Sequence, residues 1–218
     1  MNEELKKIRE EVEGIFGGSK DQAHSLEHLF RVYNISMELC EKEGGDKDIV
    51  GAAALLHDLH RMIGLKDGRL VSGKESLPLA KEILSRVGFS EDKIDAVLHC
   101  IEAHDQYDFT KEGNGARSKE AEIIQDSDNI DAYGVMGIVR TFVFGTLHNR
   151  PMWDGKSKGG EVYDDSVIGD TSLEHVYDKI LKLRDNMNTE TARNVADERE
   201  KFMLEFMERF EREWRGEL

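Results

Sequence analysis

The sequence predicts an all-α fold. Only two prolines occur in 218 residues, stretches of alternating apolar and polar residues are nearly absent, and apolar residues recur at three- and four-residue spacings. At 39% apolar and 34% charged, the composition is that of a globular chain with one core. The predicted organisation is a single helical-bundle domain over residues 1–218, with a core at about 20–147, a lid-like loop at 148–170 and C-terminal helices at 171–215.

Each element follows from its own pattern. Leu5, Ile8, Val12 and Phe16 form an amphipathic stripe over 2–16, ended by Gly17-Gly18-Ser19. A second stripe, Leu26, Leu29, Phe30, Tyr33, Met37 and Cys40, begins after Ser25, and His24 and His28 share a different face of that helix. Gly44-Gly45-Asp46 separates it from Gly51-Ala52-Ala53-Ala54-Leu55-Leu56-His57-Asp58-Leu59-His60, an apolar run without a polar face and therefore a central helix. Gly64, Gly68 and Gly73 predict a loop over 61–74. Helices are expected at 75–87, 91–104 and 117–132, followed by an apolar segment at 133–147 with Arg140 as its one charge. Residues 148–170 lack helical periodicity, which marks a binding loop or lid. Two long helices are expected at 171–187 and 189–215; the second carries Phe202, Phe206, Phe210 and Trp214 at steps of four, a stripe for the core or for a subunit contact, so a homodimer is one expectation.

Charge and cysteine usage narrow the partners. A formal charge of −15 disfavours nucleic acid and anionic membranes. No apolar run reaches the length of a membrane span, and the first residues are charged and amphipathic, so a cytoplasmic protein is expected. Cys40 and Cys100 lie far apart in helical patterns, as reduced core residues do.

The chemistry centres on His57-Asp58. A carboxylate and an imidazole buried on an apolar helix need partners or a metal. His28 and Asp128 complete a set of two imidazoles and two carboxylates, which suits one divalent ion (Mn, Mg, Fe, Co, Ni or Zn) with positions left for water. The set holds no nucleophile of its own, so it best supports metal-activated water attacking phosphorus. Arg31 stands one turn from His28 and Arg61 one turn from Asp58, where cations neutralise phosphoryl charge. Arg140 and Arg150, with Lys156 and Lys158, are further phosphate-binding candidates, and His24, His60 and His104 are candidates for orienting ligands or binding substrate. Asp126 and Asp131 read as local helix-end or surface groups. Gly68-(x4)-Gly73-Lys74 is no phosphate loop, because Glu75 replaces the magnesium-holding hydroxyl and no strand precedes it.

The order His28, His57-Asp58, Asp128 resembles the HD-domain superfamily of metal-dependent phosphohydrolases. His24-(x3)-His28-(x2)-Arg31-Val32 looks like the family's opening helix, Ile101-Glu102-Ala103-His104 like its Ile-x-x-His, and Asp126-Ser127-Asp128-Asn129-Ile130-Asp131-Ala132 like its later Asp segment. Gly137-Ile138-Val139-Arg140-Thr141-Phe142 and Met187-Asn188-Thr189-Glu190-Thr191-Ala192 are similar to small free-standing bacterial and archaeal members. The resemblance implies an HD-type bundle, metal ligation by His28, His57, Asp58 and Asp128, a proton acceptor in Asp58 or Asp128, and a nucleotide or related phosphate ester as substrate, with cleavage of a triphosphate to monophosphate and pyrophosphate as one outcome. Guanosine tetraphosphate hydrolases of this superfamily carry acids three and four positions after the doublet; here Arg61 and Met62 stand there. Two alternatives remain open: an HD-type di-iron oxygenase, which needs two more His ligands where His99 and His104 lie about 140° apart on a helix, and a non-catalytic metal-stabilised nucleotide sensor.

Overall fold

The computed structural model describes residues 1–19, 21–69, 71–107, 115–156 and 171–217. In chain order the helices are α1 (Glu3–Phe16), α2 (Leu26–Glu43), α3 (Lys47–Leu56), α4 (Leu59–Asp67), α5 (Leu77–Val87), α6 (Glu91–Ala103), α7 (Lys119–Asp131), α8 (Val135–Leu147), α9 (Ser172–Asp178) and α10 (Glu190–Trp214), with short 3-10 segments at Gly73–Ser76 and Ile180–Asn186. Among the described residues there is no strand.

Local chemistry sets the ends of these helices. The side chain of Asn2 accepts the Leu5 N–H, Asp46 accepts the N–H groups of Asp48 and Ile49, and Ser118 accepts that of Ala121, each satisfying donors that the first turn leaves free. Gly88, in the left-handed region at φ 77°, ends α5.

The core is built around α3, in which every residue from Ile49 to Leu56 is buried. It packs against α1, α2, α6 and α7. Gly51 permits the close crossing of α1, since a Cβ there would lie 2.8 Å from Leu5 Cδ1 and 3.2 Å from the Tyr33 ring. Cys40 and Cys100 are buried free thiols. Among the described residues no single helix is long and apolar enough to cross a membrane; α7 and α8 pass that test only as a pair bent by 74°.

Three expectations change. The loop predicted at 61–74 begins as helix: α4 runs to Asp67, because Gly64 is tolerated inside it and leaves room for the Arg69 carbonyl, which a Cβ would approach to 2.7 Å. The long helix predicted over 171–187 is α9 followed by the 3-10 segment. The start of the predicted lid is anchored: Trp153 is buried against Trp214, ring centres 6.3 Å apart, and the carbonyls of Pro151 and Met152 accept the N–H groups of Ser172 and Leu173. Lys158 and the rest of that loop to residue 170 lie outside the described residues.

Candidate metal centre

Five helices deliver the site. His28 comes from α2, one turn after the N-terminal Ser25, and His57 and Asp58 sit in the break between α3 and α4. Asp128 lies in the last turn of α7, and His104 follows the end of α6. His28, His57, Asp58, His60 and His104 are at most 2% exposed, and the Asp128 side chain is 15% exposed, so the cluster opens toward solvent on the Asp128 side.

The hydrogen bonds fix the ring states. The Nδ1–H groups of His57, His60 and His104 donate to the backbone carbonyls of Ala54 (2.9 Å), His57 (3.2 Å) and Ile101 (2.6 Å). A carbonyl only accepts, so each Nδ1 carries the hydrogen and each Nε2 of the neutral ring is a lone pair. His28 Nδ1 donates likewise to Asp131 Oδ2 at 2.8 Å. The Nε2 atoms of His28 and His57 then face each other at 3.3 Å, with Asp58 Oδ2 and Asp128 Oδ1 at 3.3 and 3.4 Å from His28 Nε2. Lone pairs and carboxylate oxygens this close, away from water, require a cation or a proton between them.

The residues fit a divalent ion on that ground. One ligand atom each from His28, His57 and Asp128 lies within 4.8 Å of the others, and Asp58, His60 and His104 form a second such group beside it. The buried Nε2 of His60 and Oδ2 of Asp58 make no hydrogen bond. Imidazole and carboxylate donors in this mixture suit Zn, Mn, Fe, Co or Ni.

Electrostatics hold the acids ionised. Burial opposes the charge on Asp58, yet His57, His28 and Arg61 keep its carboxyl well below the usual range. Burial likewise opposes Asp128, and His57 and His28 keep it low. Burial pushes His57 down to about 4 against the pull of Asp58 and Asp128, so this imidazole is neutral at neutral pH. For His28, burial and Arg140 disfavour charge, but Asp131, Asp58 and Asp128 prevail and raise its pKa.

A cavity of about 530 Å³ opens on the cluster, lined among others by His24, Asp58, His60, Arg61, Asp128 and Arg140, within the range of small-molecule sites. Arg61 reaches within 3.5 Å of Asp58 Oδ1. His24 is held by Asp21 at 2.8 Å, and its ring meets Phe144 edge-on at 5.7 Å. Arg150 lines the cavity beside Phe144, while Lys156 is on the surface. Two expected residues lie elsewhere. Arg31 gives its guanidinium to Asp131 at 2.6 and 3.0 Å rather than to the cavity, and His99, half-buried, accepts the Arg117 N–H at 3.2 Å.

Asp131 is the main residue that the sequence reading misplaced. It is buried and accepts His28, Arg31 and Arg140 (Arg140 Nη1 at 2.8 Å); burial resists its charge, and these donors overcome that and push its pKa far down. Its position three residues after Asp128, on the same helix face, was the available signal. Asp126 is buried too: it accepts the backbone N–H groups of Asn188 and Thr189 and the Thr189 hydroxyl at 2.7–2.8 Å, which joins α7 to the start of α10.

Comparison with known proteins gives concordant matches. The profile of the HD domain family matches residues 25–133. The uncharacterized protein YpgQ of Bacillus subtilis is 33% identical over 197 residues, covering 90% of this chain and 87% of that protein. A crystal structure of a Lactobacillus plantarum protein superposes with a TM-score of 0.81 at 25% identity over 100% of this chain and 99% of the other. An HD-superfamily hydrolase from Bacillus thuringiensis gives 0.70 at 32% identity over 98% and 97%. YpgQ crystallised in complex with ADP gives 0.69 at 30% identity over 96% and 94%.

Proposed function

This chain belongs to the HD domain family, and from that premise we propose that it is a divalent-metal-dependent phosphohydrolase acting on a nucleotide. The single observation that carries the reading is the 3.3 Å approach of two Nε2 lone pairs, from His28 and His57, flanked by two ionised carboxylates. The hydrolase relative from Bacillus thuringiensis supports the reaction class. The ADP complex of YpgQ supports a nucleotide as ligand.

His28, His57, Asp58 and Asp128 would hold the ion, which when bound supplies a Lewis acid and a water of lowered pKa. Asp58 or Asp128, each held ionised by its neighbours, would receive the proton of the attacking water. Arg61 faces the cavity from 3.5 Å behind Asp58 and neutralises charge gathering on the phosphoryl oxygens. Arg140 bridges Asp131 and the Ala23 carbonyl, at 2.8 and 2.7 Å, and fixes the wall on which the phosphates lie. Arg150 and His24 extend that wall toward Phe144, a surface suited to the nucleoside end.

A second reading is favoured by one observation. Asp58, His60 and His104 form a further donor group beside the first, so a centre of two ions is the alternative to one, with His60 in the place expected of His99. The experiment for both is to strip the protein of metal, reload it with manganese, magnesium or iron, count ions per chain, and assay nucleoside mono-, di- and triphosphates with separate detection of phosphate and pyrophosphate. Metal-dependent release of either product supports the proposal. Bound metal with no product across the panel overturns it in favour of a sensor or an oxygenase.

A further inference from the structure

The aromatic stripe of α10 is largely outside the core. The buried residues of this helix include Ala192, Ala196, Met203 and Met207, while Phe202 is 47% exposed and Phe206 and Phe210 are half-buried. Their rings follow one another at 6.4 and 6.2 Å along the helix. Phe142 of α8 meets Phe210 at 5.4 Å, and at the start of α8 the Gly134 N–H lies against Met203 Sδ, so the two helices run side by side. α8 adds Val135, Met136 and Val139, which are 57%, 40% and 50% exposed. Two adjoining helices thus share one apolar face, and contiguous exposed apolar surface on this scale marks a protein contact.

The charges bordering the stripe identify the partner. Lys201, Glu205, Arg209 and Glu213 form an exposed row at i,i+4 spacing that flanks the aromatic stripe, about 100° around the helix from it. Lys201 and Glu205 make no ion pair among the described residues, and Arg209 pairs only along its own helix, with Glu213 at 2.9 Å. When two copies of α10 lie antiparallel across a two-fold axis near Met207, Lys201 faces Glu213 of the other copy and Glu205 faces Arg209, and symmetry repeats both pairs. All four contacts are attractive. A parallel pairing turns this row toward the opposite flank of the other copy, so that the row never meets its own complement. The next residues of the row are already neutralised within the chain, Asp197 by Arg184 at 2.7 Å and Glu217 by Arg215 at 2.8 Å. With two cations and two anions the border is neutral, so it offers an anionic lipid surface no net attraction.

We propose that the face formed by α8 and α10 is the interface of a homodimer, in which the two copies of α10 pack antiparallel through Phe202 and Phe206 with the Lys201–Glu213 and Glu205–Arg209 pairs closing the border. The test is light-scattering mass of the full chain across a concentration series. Wild type is expected at twice the chain mass. Phe206→Glu and Glu205→Arg are each expected at the monomer mass with unchanged helical circular dichroism, and the double variant Glu205→Arg with Arg209→Glu is expected to recover the dimer. A monomeric wild type overturns the proposal. So does a dimer indifferent to Phe206→Glu and to the single charge reversal, which places the contact elsewhere, and so does a double variant that stays monomeric, which excludes the antiparallel register.

Discussion

Asp131 and His28, one hundred and three residues apart, meet at 2.8 Å, and the same carboxylate takes Arg31 and Arg140. This contact orients the His28 ring and raises the basicity of the nitrogen that faces Asp58 and Asp128. Asp131→Asn is expected to weaken metal affinity by roughly 10–100-fold while the fold persists, measured by competition with a chelating dye. Wild-type affinity in the variant would show that the triad does not tune the site.

Asp58→Ala is expected to abolish turnover and remove bound metal, because Asp58 Oδ2 is a buried oxygen at 3.3 Å from His28 Nε2 and without a hydrogen bond. Product release at the wild-type rate would sink the proposed centre.

Arg61→Ala is expected to lower kcat by about 10²-fold, the scale of removing one donor from a developing oxyanion, with Arg61→Lys restoring part of it. Steady-state kinetics on the best nucleotide decide the point. An effect confined to KM would assign Arg61 to ground-state binding alone.

Acid is expected to destabilise the metal-free fold. Burial pushes His57 and His60 down to about 4, and burial with Lys179 and Arg150 pushes His175 down to about 3, from an ordinary value of 6.5. Between these values the unfolded chain binds protons that the folded chain refuses, so stability is lost as pH falls from 6.5 toward 4. His24, which burial also pushes down, adds to the loss, and His28, whose pKa is raised, works in the opposite sense as one group against four. Urea midpoints at about pH 7.5 and about pH 5 in chelator should show the fall, and His175→Asn should make it shallower. A midpoint that rises in acid contradicts this ordering.

Gly137→Ala is expected to cost about 1–3 kcal/mol of stability, the range for forced overpacking. A Cβ there would lie 1.8 Å from the Ala132 carbonyl, which is backbone and cannot swing aside. Thermal melts give the answer, and an unchanged melting temperature would show that the turn between α7 and α8 yields freely.

What the sequence made legible was whatever a local pattern encodes. The stripes of α1, α2 and α10 and the apolar α3 are read from spacing, the order of His28, His57, Asp58 and Asp128 from side-chain chemistry and its resemblance to the HD pattern, and the structure brings those four side chains together. Contacts across the fold were not legible. Asp131 resembles a helix-end acid until α2 is laid beside α7, and Arg31 points by sequence at a phosphate until Asp131 is found to occupy it. Gly64 read as a breaker because helix propensity cannot register the space that Arg69 needs. His60 is not legible as a ligand because the break between α3 and α4, which turns it inward, is not written in periodicity.

The bonding of α7 on two sides has one more consequence. Asp126 fastens one side to Asn188 and Thr189, and Asp128 and Asp131 occupy the side toward His28. A helix keyed on opposite faces has a single rotational setting, since a slip by one residue turns it through 100° and unseats both sets at once. Inserting or deleting one residue between Asp126 and Asp128 therefore lets only one of the two sets seat, whereas such changes in the surface turns leave both intact. From Asp126 to Asp131 the chain is therefore constrained in its length as well as in its side chains.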